Sequence, residues 1–132
     1  MTEDLSFKPD ELPEDRSLII VDDDRAFLQR MVRAMEQRGF LVRSAVTVAE
    51  GIDLVRQSAP AFAVIDLRLE DGNGLDVISE LTRVRPNARI IVLTGYGNIA
   101  TAVTAVKLGA VDYLAKPADA DDVTDALLAP PN

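Results

Sequence analysis

The sequence predicts a single α/β domain built on a parallel sheet with helices on both faces. Three observations carry that expectation. Short runs rich in Ile, Val and Leu recur five times, each followed by a stretch with the apolar spacing of a helix. Several runs are nearly continuous in apolar residues rather than alternating, as in strands covered on both faces. The chain has 132 residues, 48% hydrophobic and 27% charged, which is enough for one core.

The elements follow in order. Residues 1–16, "MTEDLSFKPDELPEDR", are acidic, are broken by Pro9 and Pro13, and are expected to form a flexible arm. The domain itself is expected over 17–128, beginning with the strand "SLIIV" (17–21). A helix over about 25–38 places Phe27, Leu28, Met31, Val32 and Met35 on one side and stops at Gly39, a natural left-handed cap. The strand "FLVRSA" (40–45) leads to a helix over about 47–58 that ends before Pro60. The strand "AFAVI" (61–65) is followed by a helix over about 75–85, ending before Pro86. "ARIIVL" (88–93) precedes a helix over about 98–108, which carries Ile99, Val103 and Val106 and ends at Gly109. "AVDYLA" (110–115) is the fifth strand, and a last helix over about 119–128 follows Pro117. Residues 129–132, with Pro130 and Pro131, read as the start of a linker.

Right-handed crossovers leave few topologies for five such units. The common one is the flavodoxin-like (βα)5 arrangement with strand order 2-1-3-4-5. Strands 1 and 3 are then neighbours, and a ligand site is expected at their carboxyl ends.

Several classes of function fall away on composition. No run of eighteen apolar residues exists to cross a membrane. The N-terminus is neither a signal nor a transit peptide, so a cytoplasmic location is expected. Without cysteine or histidine, the chain forms no disulfide, no Cys/His zinc site and no histidine-based acid–base pair. A net charge of −8 would repel a phosphate backbone, so nucleic acid is not an expected partner of this segment alone. The loops "EDGNG" (70–74) and "TGYGN" (94–98) bend the chain at glycines, but neither has the spacing of a dinucleotide or Walker loop.

The predicted strand ends are chemically unusual. Strand 1 delivers Asp22 and Asp23, strand 3 delivers Asp66, strand 4 delivers Thr94 and strand 5 delivers Lys116. Each has a plainer structural role available: Asp24 as a helix N-cap, Thr94 as a turn residue, Lys116 as a snorkelling surface lysine. Together they converge carboxylates, a hydroxyl and an ammonium on one rim. Carboxylates within a few ångströms repel one another by on the order of a few kcal/mol per pair. A hard divalent cation offsets this, and magnesium takes one or two carboxylates while leaving positions for water and phosphate. Asp23 and Asp66 are the expected direct ligands. Asp22 stands beside them or acts through water, and the Arg68 backbone carbonyl offers a further oxygen.

With "VDD", "DLRLEDGNGL", "VLTGYG" and "DYLAKP" in this order, the chain resembles the receiver domain of two-component response regulators, CheY-like in fold, over Ser17 to Leu128. "DLRLEDGNGLDV" and "LTGYGNIATAVTAVKLGAVDYLAKPADADDV" are most similar to the RegA/PrrA/ActR group of proteobacterial redox-responsive transcriptional regulators. The resemblance implies that Asp66 is phosphorylated by a partner histidine kinase and that Asp22 and Asp23 bind Mg2+. It implies Thr94 as the switch hydroxyl, Lys116 as the functional lysine and Tyr113 as the aromatic switch residue. Arg68 and Tyr96 fall where dephosphorylation is tuned, and Glu70 replaces a frequent proline, which implies a more mobile loop. In the full-length regulators a DNA-binding domain follows the proline-bearing linker, so contact with DNA is expected only through that domain. The resemblance also implies switching or homodimerisation on the face of helix 4, strand 5 and helix 5. Ile99, Val103, Val106 and Ala110 partly line that region and are expected mostly as core. The chain is expected to catalyse only its own phosphorylation and dephosphorylation. Two alternatives stand beside this: a haloacid-dehalogenase-like phosphatase using Asp22 and Asp24, and a degenerate receiver that only binds partners.

Overall fold

The computed structural model describes residues 14–95 and 99–129, so most of the expected N-terminal arm and of the linker lies outside the described residues. In chain order the elements are β1 (Ser17–Val21), α1 (Arg25–Gln37), β2 (Leu41–Ala45), α2 (Val48–Gln57), β3 (Phe62–Asp66), β4 (Arg68–Leu69) and β5 (Gly72–Asn73). They continue with α3 (Leu75–Val84), β6 (Arg89–Thr94), α4 (Ile99–Lys107), β7 (Asp112–Ala115) and α5 (Ala120–Leu128). Five strands form one parallel sheet in the order β2-β1-β3-β6-β7, the expected 2-1-3-4-5 arrangement.

Strand residues alternate between two cores because successive side chains leave opposite faces of the pleat. Ile19, Val21, Ala63, Ile65, Ile90 and Val92 pack with α2, α3 and α4 on one face. Leu18, Ile20, Phe62, Val64, Ile91 and Leu93 pack with Leu28, Met31 and Met35 of α1 and Val123 and Leu127 of α5 on the other. Every residue of β3 is buried, so the central strand reads as continuously apolar up to Asp66.

Helix ends follow local chemistry. Asp24 accepts a hydrogen bond from the Phe27 amide at 3.1 Å and so caps α1. Gly39 (φ 97°) takes the left-handed conformation just after α1. Thr47 and Asp119 cap α2 and α5 in the same way as Asp24. At the start of α3 the backbone itself is the constraint. A Cβ on Gly74 would stand 2.4 Å from the Asp66 carbonyl oxygen, so only glycine lets α3 begin this close to β3.

One expectation changes. The fourth helix does not bury the stripe assigned to it: Ile99, Val103 and Val106 are exposed, and Ala102 and Ala105 face the sheet. The sequence "IATAVTAVK" carries two apolar stripes at helical spacing, and the small one lets the helix lie close to the sheet. Ala110, by contrast, is buried. The loop after β3 also carries a short pairing of its own. Arg68 pairs with Asn73 and Leu69 with Gly72, making the antiparallel hairpin β4–β5 around Glu70 and Asp71.

Candidate functional site

β1 and β3 are neighbours in register, Val21 opposite Ile65, so the residues that follow them meet at the carboxyl rim. Asp22 leaves β1 with its amide bonded to the carbonyl of Ala45, the last residue of β2, at 3.1 Å. Its side chain is fully buried. One carboxylate oxygen of Asp22 accepts from the Asp24 amide at 2.9 Å. The other, Oδ2, has no aligned hydrogen-bond donor among the described residues, although the Lys116 ammonium lies 3.1 Å away as an ion pair.

Asp66 ends β3 and is only 5% exposed. Its Oδ1 accepts from the Arg68 amide at 3.2 Å and its Oδ2 from Lys116 Nζ at 3.3 Å. Asp23 is half-buried, and one oxygen from each of Asp22, Asp23 and Asp66 lies within 4.8 Å of the others. Burial, followed by the charge of Asp22, raises the Asp66 pKa to about 6, against the downward pull of Lys116 and the Arg68 amide. Burial of Lys116 acts to lower its own pKa, but the two carboxylates outweigh it and the ammonium is held charged above the ordinary lysine range. Phe27 lies beneath that ammonium, 5.1 Å from ring centroid to Nζ.

One ammonium is therefore paired with two of three clustered carboxylates. A buried oxygen without a donor, a raised carboxyl pKa and an all-oxygen donor set fit a hard divalent cation. The arrangement can hold such an ion against a carboxylate, which is the charge neutralisation that phosphoryl transfer needs.

The remaining residues fall around this centre. Thr94 ends β6 opposite Ala115 in β7 and is buried, with its hydroxyl donating to the Gly95 carbonyl at 2.9 Å. Lys116 follows β7, its amide bonded to the Thr94 carbonyl at 2.9 Å, and the Lys116–Pro117 peptide is cis. Tyr113 lies in β7, half-buried against the core on the α2–α4 face. Arg68 has an exposed side chain at the start of the hairpin. Tyr96 lies outside the described residues. Sequence reasoning assigned Phe27 to a helix face and gave Asp71 no role. Asp71 accepts from the amides of Val48 at 2.8 Å and Ala49 at 3.2 Å, at the start of α2. The hairpin turns at Glu70–Asp71 with Gly72 already in the ladder, and the contact with α2 spans over twenty residues and has no local signature.

The family description "Response regulator receiver domain" matches residues 18–128. The photosynthetic apparatus regulatory protein RegA of Rhodobacter capsulatus is 66% identical over 119 residues, 90% of this chain and 65% of the relative. The acid tolerance regulatory protein ActR of Rhizobium meliloti is 65% identical over 117 residues, 89% of this chain and 60% of the relative. The chain thus spans under two thirds of the length of both. Among solved structures, a response regulator protein from Burkholderia pseudomallei with a phosphorylated aspartic acid, calcium ion and citrate superposes with a TM-score of 0.81. It is 42% identical, over 87% of this chain and 68% of that one. The receiver domain of NtrX from Brucella abortus matches at a TM-score of 0.75 and 26% identity, over 86% of this chain and 99% of that one.

Proposed function

We propose, from the premise that this chain belongs to the response regulator receiver domain family, that Asp66 accepts a phosphoryl group from a partner histidine kinase. The observation that carries this is the buried Asp66, with Asp22 and Asp23 within 4.8 Å and Lys116 linking Asp22 and Asp66 at 3.1 and 3.3 Å. Asp22, Asp23, Asp66 and the Arg68 carbonyl would hold Mg2+, which supplies neutralisation of the phosphoryl oxygens when bound.

The chain contains no histidine, so the donor belongs to the partner. An Asp66 carboxylate oxygen attacks the phosphorus. The P–N bond to the donor imidazole breaks with its electron pair going to nitrogen, and the imidazole takes up a proton. Lys116 holds a phosphoryl oxygen through its ammonium. The Thr94 hydroxyl exchanges the Gly95 carbonyl for a phosphoryl oxygen, and Tyr113 turns inward behind it. This shifts an existing equilibrium on the face of α4, β7 and α5. Ile99, Val103 and Val106 support that face as an exposed apolar stripe for a second copy. The names of the relatives describe regulatory proteins, and their greater length leaves room for an output domain. Control of transcription through such a domain is the reading we favour, with DNA contacted there and not by this segment. Arg68 and Tyr96 are proposed to tune the lifetime of the phosphorylated state.

A phosphatase reading needs Asp24 as a free acid, whereas Asp24 caps α1. The deciding experiment incubates the chain with Mg2+ and acetyl phosphate and locates the product by mass spectrometry. A single phosphoryl group on Asp66, absent in Asp66→Asn, is the expected result. Modification of Asp22 with turnover of phosphate esters would instead favour the phosphatase, and no metal-dependent modification would favour a binding module.

A further inference from the structure

Among the described residues the amide of Arg68 is one of two hydrogen-bond donors to the Asp66 carboxylate, and Arg68 opens the β4–β5 hairpin. What fixes that hairpin therefore fixes half of the polar environment of the acceptor carboxylate. Two ladder pairs are a small anchor for so short a hairpin. Leu69 adds a buried side chain packed in the same core as Val48. Gly74 closes the hairpin through its amide to the Leu67 carbonyl at 3.0 Å.

The strongest polar tie lies at the tip. Asp71 sits in the two-residue turn and extends its carboxylate to the first turn of α2, one oxygen to the Val48 amide and the other to the Ala49 amide. Both are helix-start donors with no partner inside the helix. Thr47 takes the Glu50 amide at 3.1 Å, and Glu50 reaches back to the Val46 amide at 2.9 Å. The start of α2 thus has its own cap, and Asp71 is a second, long-range one. The two backbone donors hold the Asp71 carboxyl below the usual carboxylate range, with the Val48 amide the larger cause.

A carboxylate that only served α2 would be expected nearby in sequence, as Thr47 is. A carboxylate brought from the acceptor loop instead joins two bodies: α2, packed on the sheet through Val48 and Val55, and the hairpin that presents Arg68 to Asp66. We propose that Asp71 is a positioning residue for the phosphorylation of Asp66, locking the acceptor loop to the N-terminus of α2. This rests on the phosphoacceptor reading above. With Glu70 as its neighbour in the turn, the loop has no proline to restrict it, and the anchor supplies that restriction from outside.

The test compares Asp71→Ala, Asp71→Asn and Thr47→Ala with the parent chain. Three quantities are measured: the rate of Asp66 phosphorylation by acetyl phosphate with Mg2+, the affinity for Mg2+ alone, and the thermal midpoint. Thr47→Ala weakens the same helix end without touching the loop. Asp71→Ala is expected to slow phosphorylation by about tenfold or more, up to the roughly 10²-fold that a 1 Å misplacement can cost, and to weaken Mg2+ binding. Asp71→Asn, which keeps one acceptor oxygen, recovers part of both. Thr47→Ala lowers the midpoint by a similar amount and leaves rate and affinity within about twofold. Equal changes in rate and affinity for Asp71→Ala and Thr47→Ala, or none for Asp71→Ala, overturn the proposal while phosphorylation of the parent stands. A parent chain that takes no phosphoryl group on Asp66 overturns the function reading, and this inference with it.

Discussion

The two ends of the sheet treat charge in opposite ways. At the amino end, three arginines donate to backbone carbonyls at and after helix ends. Arg43 donates to Leu54 and Ser58 at the end of α2, and Arg85 to the Ala59 carbonyl and to Asp15. Arg89 donates to Leu127 at 2.7 Å and Ala129 at 2.8 Å at the end of α5. At the carboxyl end, three aspartates cluster, two of them share one ammonium, and a fully buried oxygen of Asp22 has no aligned donor among the described residues. One end is satisfied by the chain itself and serves to hold the fold. The other is short of positive charge, and its all-oxygen donor set suits a divalent cation.

The sharpest way to break this contrast is to remove Lys116, the cation paired with Asp22 and Asp66 at the acidic end. Lys116→Ala leaves Asp22 and Asp66 buried together, and about 3 kcal/mol of stability should be lost at neutral pH without divalent metal. Urea unfolding measures it, and a loss under about 1 kcal/mol would mean that the ammonium does not hold the pair together. Removing a carboxylate should do the reverse. The Asp66 pKa lies above its unfolded value, at about 6 against 3.8. Its contribution to stability is therefore full below the unfolded value and is lost as pH rises through about 6. Asp66→Asn is expected to gain roughly 2 kcal/mol at pH 7 without metal and to lack that fall in stability. Mg2+ should then stabilise the parent chain more than the variant.

At the amino end the signs differ. Arg89→Ala removes charged donors from carbonyls and should cost about 1.5 kcal/mol, with no response to Mg2+. Equilibrium unfolding with and without the ion checks both statements. The smallest effect belongs to the exposed stripe of α4. Val103→Ser should change stability by no more than about 0.5 kcal/mol. Its effect should appear in sedimentation of the phosphorylated chain as weaker self-association, and a large stability loss would show that the stripe packs internally.

Much of this was legible in the sequence, for reasons that differ from residue to residue. β1, β3 and β6 were readable because central parallel strands are apolar throughout, and Gly39 and Asp24 because caps are local chemistry. Asp22, Asp23, Asp66, Thr94 and Lys116 were readable as a set because a parallel sheet delivers every strand end to the same rim. α4 was misread because Ile99, Val103 and Val106 form a proper amphipathic stripe. Its hydrophobicity does not say that the sheet accepts only the smaller side chains of Ala102 and Ala105. Asp71 was missed because its partners lie on another element, and nothing in "EDGNG" points to the start of α2.

By itself, then, the sequence determined the alternation of strands and helices, the order of the sheet and the identity of the acidic rim. Each of these follows from periodicity and handedness, which act over a few residues at a time. Only the tertiary structure decided which oxygen of Asp22 is left without a donor, which stripe of α4 stays exposed, and that Asp71 ties the acceptor loop to α2. Those depend on distances between elements far apart in the chain, and such distances exist only once the two cores have packed.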